Sequence, residues 1–274
     1  MNDILQDFST LNLTAAIESN LFAVFSSFRQ WPRAEVRDST EMLWTMSDIP
    51  FPLFNSILRA KLPPDRIDAV ISTITAQAEA RNVPLLWWTG PATRPTDLGI
   101  HLERRGFARE AFMPGMAVDL AKLQEDLPMP GGLTVQRVTD DETLKQWSRV
   151  FALGFGMPDF AATTFYEFMR HVDPDTNLAY LGWQHGQPVA TSLMILAAGV
   201  AGIYNVVTIP EARRQGIGAV MTQAPLRDAR DRNYKVGILH ASEMGVDVYR
   251  SLGFQEYCTI GQYGWSPQQK RDVG

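Results

Sequence analysis

The sequence predicts an α+β protein of the layered α/β kind, built as two domains in tandem. Three observations carry this. From residue 133 onward, apolar segments of strand and helix length alternate in the order β-α-α-β-β-β-α-β-α-β, which is the order of a layered domain. A segment of the first half repeats a segment of the second. A stretch of turn chemistry, Asp126-Leu127-Pro128-Met129-Pro130-Gly131-Gly132, separates the two halves.

The repeat is specific in its parts. Val83 to Trp88 is an apolar strand, Asp97 to Arg105 a short amphipathic helix stopped by Gly106, and Phe107 leads into a strand through Phe112 to Val118. In the second half, Lys235 to His240 is the strand, Val246 to Leu252 the helix, Gly253 its stop, and Phe254 leads into a strand near Glu256 to Gln262. Glycine directly after a helix supplies the left-handed position that ends it. Two copies at this spacing are too few and too far apart for a solenoid, and indicate duplication of a whole domain.

The remaining elements of the second half come in order. Leu133 to Val138 alternates apolar and polar, as a half-buried strand does. Asp140 to Phe155 reads as a helix opened by acidic residues, which suit the positive end of its dipole. Gly154, Gly156 and Pro158 then break the helical pattern within an aromatic-rich stretch, Phe151 to Phe160. Leu178 to Gln184 and Pro188 to Leu196 flank His185-Gly186 and read as a hairpin. Gly202 to Thr208 is the next strand, and Gln223 to Arg232 lies inside the helix after a glycine loop. The division expected along the chain is 1–126, a linker at 127–132, and 133–274.

Composition narrows the function. The 274 residues are 45% hydrophobic and 20% charged, with seven Trp and fourteen Phe, enough to bury a core in each half. Net charge is -5 and the cations are scattered, which argues against nucleic acid as a partner. One cysteine, Cys258, excludes a disulfide within the chain and a thiolate metal cluster. Buried in a strand with no histidine near it in sequence, it is expected to be inert. His101, His171, His185 and His240 show no ligand spacing, so no metal is expected. No apolar run reaches the ~20 residues of a membrane span. With no basic-then-apolar start at Met1-Asn2-Asp3-Ile4, the expectation is a soluble cytoplasmic protein without a membrane partner.

The sharpest local signal is Val206-Val207-Thr208-Ile209-Pro210-Glu211-Ala212-Arg213-Arg214-Gln215-Gly216-Ile217-Gly218-Ala219. An apolar strand runs into a tight basic loop, and a helix opens at the glycines. The first amides of a helix lack partners and carry the positive dipole end, so such a turn suits an anion. Gly216 and Gly218 allow close approach of the backbone to a pyrophosphate, and Arg213 and Arg214 bring charge for phosphate oxygens. The Lys-Ser/Thr of a nucleotide-hydrolysing P-loop is missing, and Met221 stands where a dinucleotide fingerprint needs its third glycine. Taken alone, the loop is equally a basic strand-to-helix turn.

With the strand Val236 to Ser242 and then Tyr249-x-x-x-Gly253-Phe254, the chain resembles the GNAT superfamily of acyl-CoA N-acyltransferases over Leu133 to Tyr263. The family's Q/R-x-x-G-x-G/A loop corresponds to Arg213, Gly216 and Gly218. The resemblance implies that residues 213–219 cradle the pyrophosphate of acetyl-CoA. It further implies that the strand at Val206, Val207 and Thr208 splays from its neighbour and holds the thioester and pantetheine. A family pattern N-x-x-A-x-x-x-Y-x-x-x-G-F falls on Ser242, Gly245, Tyr249, Gly253 and Phe254, so Ser242 and Gly245 replace the Asn and Ala. The first half resembles a worn copy, with Leu102 where Tyr249 stands. Its expected central strand, Met42 to Ser47, runs into Asp48-Ile49-Pro50-Phe51-Pro52 without a glycine loop. The fold implied is two such domains, each a mixed, mainly antiparallel sheet flanked by helices.

The reaction implied is direct attack of an acceptor amine on the thioester. A backbone N–H of Val207 or Thr208 would stabilise the oxyanion, and Tyr249 would be the general acid for the leaving thiolate. The alternative for Tyr249 is an aromatic that packs under the sheet. No general base stands out: Tyr204, Asn205 and Glu243 lie near the expected cleft, and each is also readable as structural. The aromatic stretch Phe151 to Phe160, which borders the acceptor site in the family, either lines that site or packs in the core. The expected partner is a small-molecule or peptide amine, and the expected assembly a monomer with an intrachain pseudo-dimer. The competing reading is a CoA-binding regulatory or scaffolding protein that no longer catalyses.

Overall fold

A computed structural model describes residues 4–124 and 126–267. Along the first half run α1 (Thr10–Ser26), β1 (Glu35–Asp38), β2 (Leu43–Met46), β3 (Ser56–Leu58), α2 (Ile67–Arg81), β4 (Leu85–Thr89), α3 (Leu98–Arg104) and β5 (Ala108–Asp119). The second half adds β6 (Leu133–Arg137), α4 (Asp141–Gly154), α5 (Phe160–Met169), β7 (Asn177–Gln184), β8 (Gln187–Ala197) and β9 (Val200–Thr208). It continues with α6 (Ile217–Asp231), β10 (Val236–His240), α7 (Val246–Ser251) and β11 (Gln255–Trp265).

Two compact units form, and neither is a single stretch of chain. One unit joins the segment up to Leu21 to Pro114–Tyr257; the other joins Phe22–Met113 to the segment from Cys258 onward. The partition therefore differs from a cut at the Pro/Gly stretch, because α1, β5 and β11 are each divided between units. A linear reading cannot see this, since strand pairing is decided by which edges are open rather than by chain order.

In the unit containing the glycine loop the strands run β5-β10-β9-β8-β7-β6. Neighbours from β6 to β9 are antiparallel, β10 is parallel to β9, and β5 closes the far side antiparallel to β10, with Val236 opposite Asp119 and His240 opposite Gly115. His185 and Gly186, both left-handed at φ of 51° and 78°, make the two-residue turn between β7 and β8. Helix α4 opens as its acidic start suggests: the Asp140 carboxylate accepts the Thr143 N–H at 2.8 Å and caps the first turn. One core layer packs α6 on the sheet through Met221, Leu226, Ile203, Leu239 and Phe254. On another, the buried Asn20 of α1 donates to the Ile195 and Ala197 carbonyls and accepts from the Tyr204 hydroxyl. Gly202 makes room for this, since a Cβ there would lie 2.1 Å from Asn20 Oδ1.

The other unit orders its strands β1-β2-β3-β4-β11-β5. Its apolar core gathers Trp44, Ile57, Ile71, Trp87, Leu98, Leu102 and Tyr263, and Phe28, Trp31 and Phe54 pack edge-on or tilted beside it. Here the expectation for the central strand needs correcting. The strand parallel to β4 is β3, Ser56–Leu58, rather than Met42 to Ser47, which forms β2. The Asp48-to-Pro52 stretch misleads because Asn55 folds it into a compact corner, its amide bonded to Ser47, Ile49 and Phe51. Between β3 and α2 run residues 59–66, which contain Pro63 and Pro64 and no glycine.

Candidate active site

Strand β9 sets the site. It pairs with β10 only at Ala201, Gly202 and Ile203, opposite Gly237, Ile238 and Leu239. From Tyr204 to Thr208 it continues along β8 alone. The cause is a β-bulge. Leu193 faces Tyr204 and Thr191 faces Val207, so one residue of β8 opposes two of β9. Asn205 takes the left-handed conformation, φ 52°, and its carbonyl accepts from the Thr191 hydroxyl at 2.9 Å. The bulge turns β9 from β10 and leaves its β10-side backbone groups without a strand partner over Val206, Val207 and Thr208. All three are half-buried, which is what a ligand lying along an open strand edge requires.

The loop after β9 is shaped by two left-handed residues, Arg214 at φ 63° and Gly216 at φ 81°, with Gly216 standing just before α6. A Cβ added at Gly216 or Gly218 would meet nothing within 4 Å, so both glycines face open space at the mouth of the helix. Among the described residues the amides of Gln215, Gly216, Ile217 and Gly218 make no backbone bond, while Ala219 N–H already returns to Gly216 O. Four free donors at a positive dipole end suit an anion. Residues predicted to work together are thus together: 206–208 on the open edge, and 213–219 at the helix mouth beyond it.

The two arginines differ. The Arg213 guanidinium, on a residue as exposed as Arg214, donates to Thr208 O at 3.0 Å and to Gly154 O at 2.7 Å, and so braces the loop. Arg214 is exposed, with no ion pair among the described residues, and is the loop's available cation. Gln215 accepts from the Gln184 side chain at 2.9 Å.

Tyr249 is half-buried on α7, its ring 6.0 Å from that of Phe254. Burial pushes its phenol up to about 12. Its hydroxyl makes no hydrogen bond among the described residues, and it is not one of the sealed, unpaired atoms, so it opens to the exterior. Gly245 explains one replaced position: a Cβ there would lie 2.8 Å from the Tyr249 ring, which leans over this glycine. Ser242 is exposed, and its carbonyl receives the Gly245 and Val246 N–H groups.

Of the base candidates, Tyr204 is committed to Asn20, and burial holds its phenol far above the usual range. Asn205 forms the bulge, and Glu243 is exposed just after Ser242. Cys258 lies half-buried within β11. The sequence gives no sign of a role for His240, the last residue of β10, whose ring centroid is 5.9 Å from that of Tyr204 where the strands part. Its Nε2 is sealed without a partner, and burial lowers the imidazole to about 4, so it stays neutral. Nor does the sequence single out Gly154 as a bonding partner of the loop. Among the described residues no cluster of three His, Cys, Asp or Glu could hold a metal, and no helix is long and apolar enough to cross a membrane.

The unit thus combines a strand edge opened by a bulge beside a parallel strand with free amides at the start of the next helix, in an α+β domain. More particularly, residues 134–257 match the model of the acetyltransferase (GNAT) domain. Solved structures of similar fold cover nearly the whole chain. A GCN5-related N-acetyltransferase from Kribbella flavida is 21% identical, with 91% of this chain and 96% of that one covered and a TM-score of 0.67. Another from Sphaerobacter thermophilus is 15% identical over 94% and 91%, with a TM-score of 0.61. A tandem GNAT protein from the clavulanic acid biosynthesis pathway is 12% identical over 94% of each chain, with a TM-score of 0.60. These likenesses show a shared fold, in one case with a tandem GNAT protein. No curated protein matches the sequence.

Proposed function

We propose that the protein is an N-acetyltransferase that moves the acetyl group of acetyl-CoA to an amine by direct attack, using the unit that contains β9 and α6. The observation that carries this reading is the parting of β9 from β10 directly before the open glycine loop. A thioester lying along Val206 to Thr208 would meet backbone groups that no neighbouring strand takes, the Thr208 carbonyl being held by Arg213, and the pyrophosphate of its CoA would meet the amides of residues 215–218, with Arg214 adding charge. In the reaction the amine nitrogen forms a bond to the carbonyl carbon, and the carbon–sulfur bond breaks. The amine proton leaves to solvent or a base, and the departing thiolate takes the Tyr249 proton. A Val207 or Thr208 N–H would steady the oxyanion in between.

The aromatic segment after α4 supports an acceptor with apolar character. Phe151 and Phe165 are buried, but Leu153, Phe155 and Phe160 are 59%, 50% and 38% exposed. This side of the junction is therefore not consumed by core packing. The chain would act as a cytoplasmic monomer, because each unit already draws strands from both halves of the sequence. The other unit would shape the assembly and not bind acetyl-CoA. Its loop after β3 has prolines, which lack N–H groups, where the first has glycines.

Calorimetry with acetyl-CoA tests the reading, and should return one site per chain. Gly216→Asp places a branched, negative side chain at φ 81° in the cradle and should abolish binding. Two sites, or full affinity in that variant, would contradict it. CoA release with an amine panel separates the enzyme from a CoA-binding scaffold, which would bind and not turn over.

A further inference from the structure

A helix leaves its last carbonyls without partners, and a cation placed there is favoured by the dipole. At the end of α4 that carbonyl belongs to Gly154, and the cation is Arg213, whose Nη2 donates to it at 2.7 Å. The same guanidinium uses Nε on the carbonyl of Thr208, the last residue of β9, at 3.0 Å. One planar group therefore ties together the glycine loop, the end of the open strand and the end of α4. Its rigid fork fixes the direction of both bonds, which a flexible ammonium would not do.

The contact is close for a second reason. Gly154 has no side chain, and a Cβ there would sit 2.6 Å from Val207 Cγ2, so the end of α4 rests directly on β9. Just past this point lies the exposed apolar rim. Gly156 takes φ 62°, Met157 N–H returns to Ala152 O at 2.9 Å, and Phe155 and Phe160 project outward. The rim is thus anchored on one side by its own turn and on the other by Arg213.

We propose that Arg213 is a positioning residue that couples the glycine loop to the 153–160 rim, so that filling the loop orders the rim on the acceptor side. This rests on the reading that the loop holds acetyl-CoA. It assigns the phosphate-facing charge to Arg214, which has no ion pair among the described residues, and removes Arg213 from direct phosphate contact. The coupling is reciprocal by linkage: an acceptor that orders the rim would raise affinity for acetyl-CoA by the same factor.

The test uses the full chain, acetyl-CoA as the probe, and hydrogen exchange read on peptides spanning residues 150–160. In the wild type, saturating acetyl-CoA should slow exchange of the 155–160 amides by about fivefold or more, the lower end of common coupling factors. Arg213→Gln should keep acetyl-CoA affinity within about threefold, as expected for a side chain off the ligand, and lose that slowing. Arg213→Lys keeps the charge without the fork. It serves as the second variant if Arg213→Gln folds poorly, and should recover less than half of the slowing. A loss of tenfold or more in affinity would make Arg213 a phosphate ligand and overturn the proposal. Undiminished slowing in both variants would overturn it as well. A wild type that binds without protecting the rim removes the coupling alone, whereas one that does not bind acetyl-CoA removes the acyl-CoA reading and this proposal with it.

Discussion

Tyr249 shows how environment sets what a side chain can do. An ordinary phenol near 10 would begin to lose its proton in moderately alkaline solution. Burial raises this one to about 12, because the charged phenolate loses more solvation than the neutral form. A raised value means that the protonated form, which the proposed acid needs, persists to higher pH, so no alkaline fall in turnover below about pH 10 should come from this group. The cost is acidity. A thiol near ~8.5 lies about 3.5 units lower, so proton transfer to a free thiolate is uphill until the closed site raises the thiolate too. Tyr249→Phe keeps the ring against Gly245 and Phe254 and deletes only the hydroxyl. Turnover should fall by about 10²-fold or more with acetyl-CoA affinity nearly unchanged. Steady-state kinetics beside calorimetry would show it, and an unaltered kcat would pass the acid's role to water or another group.

At the scale of elements, α1 and β9 depend on each other through one buried amide. Asn20 satisfies two strand carbonyls and one hydroxyl, and Gly202 is the notch that admits it. Asn20→Leu removes both donors and the acceptor together, leaving the Tyr204 hydroxyl without its acceptor and the Ile195 and Ala197 carbonyls of β8 without their side-chain donor. A buried hydroxyl left without its acceptor costs about 1–3 kcal/mol, so the variant should be destabilised by about that much. Urea unfolding followed by circular dichroism would measure this. A change under about 0.5 kcal/mol, the size of an ordinary surface substitution, would mean that α1 is not bonded to the sheet in this way. A buried polar residue in an apolar helix such as Ile17-Glu18-Ser19-Asn20-Leu21 leaves a trace in the sequence, but nothing there names its partner 175 residues away.

On the scale of the molecule, the units are assembled from alternating segments, and cutting the chain at its Pro/Gly stretch should break both. Residues 132–274 expressed alone would lack the segment 114–119, whose strand pairs with β10 from Val236 to His240, and would lack Asn20. The cut leaves an unpaired edge and an open helix face, both prone to aggregation. The fragment should precipitate or unfold at lower temperature than the full chain, and the full chain should sediment as a monomer. A stable, fully active 132–274 fragment would contradict this.

The sequence by itself determined the local parts. The glycine loop, the Gly-Phe helix stops, the β7–β8 turn and the capped start of α4 are all legible because each depends on neighbouring residues: a left-handed glycine, a capping carboxylate, an alternation of apolar positions. Residues 206–208 and 213–219 could be named for the same reason, since strand, turn and helix are contiguous. Only the tertiary structure decided the rest. The exchange of segments between units, β3 as the partner of β4, the sealed His240 beside Tyr204, and the bond from Arg213 to Gly154 all join residues far apart in sequence. Such contacts are chosen by which edges, carbonyls and cavities remain open once the local elements have formed, and that is a property of packing rather than of any segment.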